Sequence, residues 1–572
     1  MSDPVAQVLV RRGMSDPACA RAFMEGEEEH PHTAFAGIET AIATILSHVD
    51  AGNRITIHGD YDVDGICSTA VLVRALRRLN ADVDWYLPDR ASDGYGLNPD
   101  TVRRLAARGT RLLVSADCAI TAVEEVAAAR ELEMDVVVTD HHSVRADGIL
   151  PDAPIVHPTV CEYPFRELCA TAVAYKLAEG LEGRAPVADL DLVALATIAD
   201  VVPLLGENRS LVRRGLRALA GTVKPGLRAL MAVARVDPAR VDERSVAFGL
   251  APRLNAAGRL YRADAGLELI LTEDPVRAAQ IADELDRVNH ERRRAERTIR
   301  FEAEAQIAAL GDLKERGALV LAGEDWHVGV IGIVASRLAE THHRPVVLIA
   351  LDGERGRGSG RGGCEAFDLL AGLTACSEHL SSYGGHRAAA GLEIERDRVA
   401  VFAGALDAYA SSVLSSEDMV PTERVDAIVD GSELGMALAE ELGGLAPFGQ
   451  ANPSVSLMIA EATFADVRPM GEGKHSRFTV RSRAGRARAV AFNTGGGLGV
   501  AEGEPAQATF TLEVNEWNGV SEPRLVLRRA RPAGAPRVED RRRVPVSTPS
   551  TGPAAPASTP APGDQQELVL FA

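Results

Sequence analysis

A short acidic segment at positions 58–65, His-Gly-Asp-Tyr-Asp-Val-Asp-Gly, has the composition of a metal site. Its carboxylates, Asp60, Asp62 and Asp64, repel one another when ionised, and a divalent cation removes that cost. An EF-hand calcium loop also opens with DxDxDG, but it needs Glu at its twelfth position, which is Val71 here. The strand-like run before the motif and the apolar helical run after it also differ from an EF-hand. The segment therefore predicts a divalent-metal site other than a calcium sensor.

Further candidate ligands follow later apolar segments. Asp117 follows RLLVSA, the run Asp140-His141-His142 follows DVVVT, and Asp200 closes the apolar stretch DLVALATIA. Parallel strands bring their carboxyl ends to one crevice, so side chains that are distant in sequence converge there. We therefore expect these residues to share a site with the acidic segment. A mixture of carboxylate and imidazole ligands favours manganese over calcium, with magnesium as the alternative.

The segments that carry these residues alternate between strand-like and helix-like patterns. Between about 50 and 205, Ala-rich, charged, helix-periodic stretches separate five short apolar runs, at 54–58, 83–87, 111–115, 135–139 and 153–157. Such alternation predicts an α/β fold with right-handed crossovers and a parallel sheet covered on both faces.

The pattern then changes four times along the chain. Helical periodicity dominates from about 206 to 310, where Asp274 and Pro275 mark the start of a helix. That helix meets no Pro or Gly before Gly311 and would be roughly 54 Å long. A second α/β pattern begins at 318, and short strands split by Gly, Asn and Pro between about 420 and 530 predict a small OB-type barrel. The segment 544–563, rich in Pro, Ser, Thr and Ala, predicts a disordered tether.

Composition limits the classes of function. The 572 residues include 81 acidic and 62 basic ones, for a formal charge of −19, which argues against indiscriminate adhesion to nucleic acid or anionic lipid. A local basic groove is compatible with that total. The sequence has no stretch of about 18 apolar residues that could span a membrane and no secretory signal. Seven scattered cysteines without a CxxC pair fit reduced thiols in the cytoplasm.

Several motifs resemble one family when they are taken together. GDYDVDG, SAD, VTDHH and ATIADVVPL resemble the successive motifs of the DHH phosphoesterase superfamily, and PRLNAAGRL, SGRGG, YGGHRAAAG and APFGQANP extend the resemblance to the RecJ-type single-strand-specific DNA exonucleases. The resemblance covers roughly residues 50 to 530. It implies two α/β domains joined by a long helix and followed by an OB-like barrel, while the N-terminal segment and the compositionally predicted disordered tail lie outside it. The predicted segments are an N-terminal segment at 1–45, a DHH catalytic domain with a parallel sheet at 46–210, a helical region with the long connecting helix at 211–312, a smaller DHHA1 domain at 313–415, an OB-like DNA-binding domain at 420–532 and the tail at 533–572.

The resemblance also implies a set of ligands for two divalent ions, with Mn²⁺ preferred over Mg²⁺. One ion would be held by His58, Asp62 and Asp117, and the other by Asp64, Asp117, His141 and Asp200, with Asp117 as the bridge. Catalysis would depend on Asp117, Asp64 and His142, the last of which would face the scissile phosphate. Asp60 and Asp140 would orient the ligands through hydrogen bonds, although Asp60 could coordinate directly.

Candidate DNA contacts lie in the second half of the chain. GRGSGRGG offers Arg357, Ser359 and Arg361 among glycines whose backbone N–H groups could contact phosphate oxygens together with the guanidinium groups. Gly384 and Gly385 would let the backbone approach a nucleotide, with His386 nearby. Three residues of the PRLNAAGRL motif either contact the strand or brace the catalytic domain: Arg253, Asn255 and Arg259. The barrel offers aromatic residues for base stacking, namely Phe478, Phe492 and Trp517.

The predicted function is that of a cytoplasmic, metal-dependent exonuclease on single-stranded DNA. The resemblance implies 5′-to-3′ polarity, release of 5′-mononucleotides by metal-activated water, and work in recombination and repair. The alternatives are a DHH phosphodiesterase acting on short oligonucleotides or cyclic dinucleotides, a manganese pyrophosphatase, and a catalytically inactive replication scaffold. The last residues, QQELVLFA, resemble peptides that dock on a sliding clamp. The clamp, a helicase and a single-strand-binding protein are therefore candidate partners, and we expect no membrane association.

Overall fold

A computed structural model describes residues 1–89, 96–260, 262, 264–483, 485–517 (the backbone alone at 517) and 519–534. The described residues form two compact units, of which one comprises Met1–Glu28 together with the described residues from Thr422 and the other comprises Glu29–Pro421. Among the helices of the described ranges, none is long and apolar enough to cross a membrane.

The chain begins with two short helices that belong to the same unit as the C-terminal barrel. Their bounds are α1 (Asp3–Arg11) and α2 (Pro17–Glu25). Helix α1 buries Pro4, Val5, Val8 and Leu9 at helical spacing. The predicted segment 1–45 therefore contains residues of both units, since its residues from Glu29 onward belong to the other one.

The first α/β domain contains a parallel sheet, as the alternation of strands and helices predicts. Its strands are β1 (Ile55–His58), β2 (Val83–Tyr86), β3 (Leu112–Ser115), β4 (Asp135–Thr139) and β5 (Ile155–Val156). The sheet order is β2-β1-β3-β4-β5 and every pairing is parallel. The accompanying helices are α3 (Ile38–Asp50), α4 (Val63–Arg78), α5 (Pro99–Ala107), α6 (Val123–Glu131), α7 (Ala170–Glu182) and α8 (Leu190–Ala199).

The strand order places a topological switch point between β1 and β3. From β1 the chain crosses to β2 on one side and then returns past β1 to form β3 on the other side. Consecutive connections therefore diverge at this position and leave a crevice beyond the carboxyl ends of β1 and β3, where ligands bind in open α/β sheets. The acidic motif follows β1, and Asp117 follows β3.

A helical region follows and ends in the long connecting helix. Its helices are α9 (Gly206–Ala220), α10 (Pro225–Ala234), α11 (Glu243–Ser245), α12 (Ala251–Leu260), α13 (Asp264–Leu271) and α14 (Pro275–Ala309). The long helix is confirmed: α14 has 35 residues, and the side chain of Asp274 caps its first turn by accepting the N–H of Val276. Its N-terminal part packs on α10, α12 and α13, and its remainder packs on the second α/β domain.

The second α/β domain has a mixed sheet. Its elements are β6 (Leu319–Glu324), α15 (Val328–His342), β7 (Val346–Asp352), β8 (Arg355–Arg361), α16 (Leu369–Ala375), β9 (Ser382–Gly385), β10 (Ala389–Glu395) and α17 (Val399–Val413). The order is β6-β7-β8-β10-β9, in which β6 and β7 are parallel and the other neighbours antiparallel.

One expectation about this domain is wrong. The glycine-rich segment 355–361 is strand β8, which pairs with β7 on one side and β10 on the other, so its backbone N–H groups serve the sheet and not a phosphate. The glycines serve packing on one face. A Cβ at Gly356 would lie 2.6 Å from Ile349, and one at Gly358 would lie 2.7 Å from Leu392.

The C-terminal domain is a closed barrel, as predicted. Its elements are β11 (Ala427–Ile428), α18 (Met436–Gly443), β12 (Leu457–Met470), β13 (His475–Ser482), β14 (Gly485–Ala491), β15 (Ala506–Trp517) and β16 (Val520–Pro532). The strands run β12-β13-β14-β16-β15, and a β12–β15 pairing closes the ring. Helix α1 packs against β11 and α18, and the buried guanidinium of Arg12 donates to the carbonyl of Pro453 at 2.7 Å. The predicted disordered tail lies beyond residue 534, outside the described residues.

Candidate metal centre

The acidic motif forms the turn from β1 into α4 at the switch point. Asp62 is the N-cap residue of α4, and its Oδ1 accepts the N–H of Gly65 at 3.0 Å. Gly65 allows the loop to fold back on the helix, because a Cβ there would lie 2.6 Å from the backbone of Asp60. The motif therefore presents Asp60, Asp62 and Asp64 from one tight turn.

Asp117 follows β3 in a strained backbone conformation. Its φ is 69°, in the left-handed region that residues other than Gly seldom adopt. Its side chain is buried, and its backbone N–H donates to the carbonyl of Thr139 on β4. Burial and the nearby charges of Asp64 and Asp62 raise the pKa of Asp117 well above its usual range. Strain together with a perturbed pKa is typical of a functional position.

The candidate ligands converge in three overlapping groups. Within each group the donor atoms lie within 4.8 Å of one another, and the groups are Asp60-Asp62-Asp117, Asp64-His141-Asp200 and Asp117-His141-His142. His141 is central, since its Nε2 lies 3.3 Å from Asp117 Oδ1, 3.7 Å from Asp200 Oδ2 and 3.8 Å from Asp64 Oδ2. Asp117 and His141 each belong to two groups, so the three groups form one continuous centre.

Asp140 contacts the histidines that follow it. Its Oδ1 accepts the backbone N–H groups of His141 and His142 and lies 2.8 Å from Nδ1 of His142, and its Oδ2 accepts the N–H of Ile120. Burial opposes ionisation of Asp140, but the hydrogen bond and charge of His142 and the charge of His141 outweigh it and lower the pKa of this carboxyl. These contacts suit the predicted orienting role.

His58 has a different environment from the other predicted ligands. It is fully buried at the end of β1, where its Nδ1 lies 3.6 Å from the Sγ of Cys118 and its ring centroid lies 5.5 Å from that of Tyr86. Of the three groups found among the described residues, none includes His58, and Asp60 stands with Asp62 and Asp117 instead. The ligand role of His58 stays a prediction.

The donor set suits a hard or borderline divalent cation. Carboxylate oxygens and imidazole nitrogens are the ligands that Mn²⁺ accepts, and carboxylates dominate Mg²⁺ sites. The three carboxylates of one group repel one another, as the raised pKa of Asp117 indicates, and a cation relieves that repulsion.

Two supporting contacts come from distant segments: Asn255 makes the bracing contact that is one of its two predicted alternatives, and Thr171 is not predicted from the sequence. The Oδ1 of Asn255, on α12, accepts the backbone N–H of Val63, which lies between Asp62 and Asp64. Helix α7 donates hydrogen bonds to Asp64 from Ala170 and Thr171. The motif PRLNAAGRL draws attention to Asn255, whereas the local sequence around Thr171 contains no such signal.

The predicted DNA contacts on α12 make internal contacts. Arg253 is buried, and it donates to Asp286 on α14 and to the carbonyl of Gly249. Arg259 donates at 3.0 Å to the carbonyl of Gly329 on α15 and so links the helical region to the second α/β domain. These contacts favour the bracing alternative over contact with a strand.

The predicted contacts on the second sheet differ in exposure. Arg357 is 67% exposed and pairs with Glu393 at 3.3 Å. The guanidinium of Arg361 donates to the hydroxyl of Ser359 at 3.1 Å, and both side chains face α15 at Gly332.

The predicted contacts at the edge of this sheet all lie in the open. Gly384 and Gly385 lie on the outermost strand, β9, and His386 follows it; all three are exposed.

The barrel aromatics also differ. Phe478 is buried against Phe464, with ring centroids 4.9 Å apart, so it belongs to the barrel core. Phe492 is 43% exposed beside His475. The side chain of Trp517 lies outside the described residues.

Comparison with known families agrees with this architecture. Residues 54–197 match the DHH family, N-terminal domain, residues 315–412 match the DHHA1 domain, and residues 425–529 match the RecJ OB domain. Together with the acidic centre at the switch point, these matches define the class of the molecule as that of the DHH phosphoesterases.

Individual relatives identify the family within that class. The chain is 36% identical over 535 residues to the single-stranded-DNA-specific exonuclease RecJ of Bacillus subtilis, covering 92% of this chain and 67% of that protein. It is 34% identical over 517 residues to the Escherichia coli protein of the same name, with coverage of 86% and 89%. The crystal structure of RecJ in complex with Mn²⁺ from Thermus thermophilus matches with a TM-score of 0.80 at 30% identity, over 92% of this chain and 76% of that one. The chain belongs to the RecJ family.

Proposed function

We propose that this chain is a metal-dependent exonuclease that degrades single-stranded DNA from the 5′ end and releases 5′-mononucleotides. The observation that carries the proposal is the convergence of the three donor groups on Asp117 and His141 at the switch point. The relatives over most of the chain are named single-stranded-DNA-specific exonucleases, and the RecJ structures from Thermus thermophilus were obtained with Mn²⁺ and with Mg²⁺.

The donor groups suggest how two ions would be shared. We assign one ion to Asp60, Asp62 and Asp117 and the second to Asp64, His141 and Asp200. By the family resemblance, His58 would add to the first set and Asp117 would contribute to both. Bound divalent cations lower the pKa of a water and neutralise charge on the attacking and leaving oxygens of a phosphodiester. We favour Mn²⁺ over Mg²⁺ because imidazole belongs to the donor set.

The protein side chains have separate tasks in this reaction. Asp117, which follows β3, and Asp64, in the first turn of α4, would serve as metal ligands from two different elements. Asp140 fixes the ring of His142 through Nδ1, and we assign the other ring nitrogen to the scissile phosphate, where it stabilises developing charge. The side chain of His142 is 28% exposed, more than that of His141 at 13%, which is consistent with a role toward substrate.

The substrate contacts extend beyond the metal centre. Arg357, Ser359 and Arg361 lie on one face of β8, and guanidinium groups bind phosphate oxygens through paired hydrogen bonds. The OB-like barrel is of the kind that holds single strands by stacking and phosphate contacts. Such a module is superfluous for a dinucleotide or for pyrophosphate, which argues against those alternatives. A residue that can ligate a metal is present at every predicted ligand position, which argues against an inactive scaffold.

We further propose that the enzyme works in the cytoplasm in recombination and repair. The seven cysteines lie within the described residues and are free thiols there, as expected in a reducing compartment. Docking of the tail on a sliding clamp, and assistance by a helicase or a single-strand-binding protein, are predictions that involve residues beyond 534 or partners outside the chain.

The proposal is tested with a single-stranded oligonucleotide labelled at either end, incubated with the full chain and Mn²⁺. We expect mononucleotide products, loss of the 5′ label first, no digestion of a blunt duplex, and no turnover by Asp117→Ala or in chelator. A dinucleotide substrate and a cyclic dinucleotide serve as comparisons. Faster hydrolysis of these short substrates than of the long strand, or a wild-type rate for Asp117→Ala, would contradict the proposal.

A further inference from the structure

Thr171 lies behind the acidic motif, at the start of helix α7. Asp64, in the first turn of α4, directs its carboxylate at this helix end: Oδ2 accepts the N–H of Ala170 at 2.7 Å and Oδ1 accepts the N–H of Thr171 at 2.8 Å. The N-cap residue of α7, Cys169, makes no side-chain capping hydrogen bond. Asp64 therefore satisfies helix donors that a capping side chain usually satisfies.

The hydroxyl of Thr171 adds a third donor to the same carboxylate. Its Oγ1 lies 2.6 Å from Oδ1 of Asp64 and 3.0 Å from the backbone carbonyl oxygen of Asp64. The hydroxyl has one proton, and the shorter distance is typical of an O–H···O⁻ hydrogen bond, so the proton is directed at Oδ1. The side chain of Thr171 is fully buried, so bulk water does not replace this bond when it is lost.

The two oxygens of Asp64 consequently have different roles. Oδ1 takes the two donors of Thr171, whereas Oδ2 takes the single N–H of Ala170 and lies 3.8 Å from Nε2 of His141. Oδ2 is thus the oxygen that faces the group formed with His141 and Asp200. Donors on both oxygens oppose a rotation that would exchange the two, and the hydroxyl of Thr171 adds to the hold on Oδ1.

We propose that Thr171 is a positioning residue for the metal ligand Asp64. Its hydroxyl fixes the rotation of the carboxylate that presents Oδ2 to the cation shared with His141 and Asp200. The proposal rests on the proposed function, because it takes Asp64 as a metal ligand. Removal of groups that hold ligands in this way typically costs 10- to 100-fold in metal affinity. The effect of removing this one hydroxyl should therefore be measurable.

The test is Mn²⁺ binding by the metal-free full chain, followed by the electron paramagnetic resonance signal of free Mn²⁺. Thr171→Val removes the hydroxyl and keeps the shape, and we expect its Mn²⁺ affinity to fall roughly 10- to 100-fold. Thr171→Ser keeps the hydroxyl, and we expect it to restore an affinity close to that of the wild type. In DNA hydrolysis, Thr171→Val should need more Mn²⁺ for half-maximal rate and recover most of the rate when Mn²⁺ is saturating.

Thr222→Val provides a matched control. The hydroxyl of Thr222 is also buried and donates at 2.8 Å to a buried carboxylate, that of Asp191, which belongs to none of the three donor groups. This substitution removes the same kind of hydrogen bond from a buried carboxylate of the first α/β domain. We expect a change in the free energy of unfolding and a wild-type Mn²⁺ affinity.

The outcomes separate this proposal from the proposed function. A wild-type Mn²⁺ affinity in Thr171→Val, or an equal loss in Thr171→Ser, would overturn the positioning role. If Thr171→Val does not fold, Thr171→Ser and Thr171→Ala differ only by the hydroxyl, and equal affinities in that pair would overturn it as well. If Thr171→Val loses Mn²⁺ affinity while the wild-type chain with saturating Mn²⁺ hydrolyses no DNA, the positioning role stands and the proposed nuclease function is refuted.

Discussion

Replacement of Asp117 by Asn should stabilise the metal-free protein while it destroys the metal centre. Oxygens of Asp60, Asp62 and Asp117 lie within 4.8 Å of one another, so each ionised pair repels by about 3.5 kcal/mol at an effective dielectric constant of about 20. Proton uptake relieves part of this energy, because the pKa of Asp117 is raised by burial and by neighbouring carboxylates. We expect a gain of about 1 to 3 kcal/mol in the free energy of unfolding.

The sign of the pH dependence follows from the direction of the pKa. A carboxyl whose pKa is raised by folding stabilises the protein at low pH, and that contribution is lost as pH rises through the folded-state pKa. The advantage of Asp117→Asn over the wild type should therefore grow as pH rises above the ordinary carboxyl range toward the raised pKa of Asp117. Asn tolerates the left-handed backbone at this position, so the substitution adds no strain.

The measurement is urea unfolding of both proteins in chelator and again with excess Mn²⁺. Wild type should gain about 2.7 kcal/mol when free Mn²⁺ is 100 times the dissociation constant, and Asp117→Asn should gain far less. Asp140→Asn is the matched control of opposite sign, because the hydrogen bond and charge of His142 lower the pKa of Asp140 and Asn keeps only one of the two accepting oxygens. If Asp117→Asn were as destabilising in chelator as Asp140→Asn, the reasoning from repulsion would be refuted.

Three further predictions concern the elements around the centre. Gly65→Ala should lower the free energy of unfolding by about 1 to 3 kcal/mol and weaken Mn²⁺ binding, because its Cβ would press on the backbone of Asp60; an unchanged affinity would contradict the close approach. Asn255→Ala should cost about 1 to 3 kcal/mol in urea unfolding, since the buried N–H of Val63 loses its acceptor, whereas Asn255→Asp should restore most of it. Arg361→Ala should weaken binding of single-stranded DNA and reduce the slope of log affinity against log salt by about 0.7; Mn²⁺ affinity serves as its control.

The sequence predicts the convergence of most candidate ligands because the information for it is local. Each candidate ligand follows an apolar segment of strand or helix length, and the geometry of parallel sheets then brings the ends of β1, β3 and β4 together without any knowledge of tertiary contacts. The long helix α14 is equally local, since a capping Asp274 and an uninterrupted periodic segment define it.

The features that the sequence did not predict have other physical origins. The segment from Arg355 to Arg361 alternates Gly with a larger residue, which is the period of a strand, but the abundance of glycine suggested a phosphate-binding loop. The hydrogen bond between Thr171 and Asp64 joins residues 107 positions apart, and the environment of His58 depends on Cys118 from the neighbouring strand. Neither contact leaves a periodic trace in the sequence.

Because Met1–Glu28 belongs to the same unit as the barrel, the first helix must wait for the end of translation before it can pack. The apolar side of α1, with Val5, Val8 and Leu9, packs in a unit whose remaining strands are translated about 500 residues later, roughly 25 to 100 s at usual elongation rates. During that interval the first helix emerges from the ribosome without its binding surface. A nascent chain interrupted before β12 therefore keeps an apolar helix face in solvent, where aggregation and proteolysis begin.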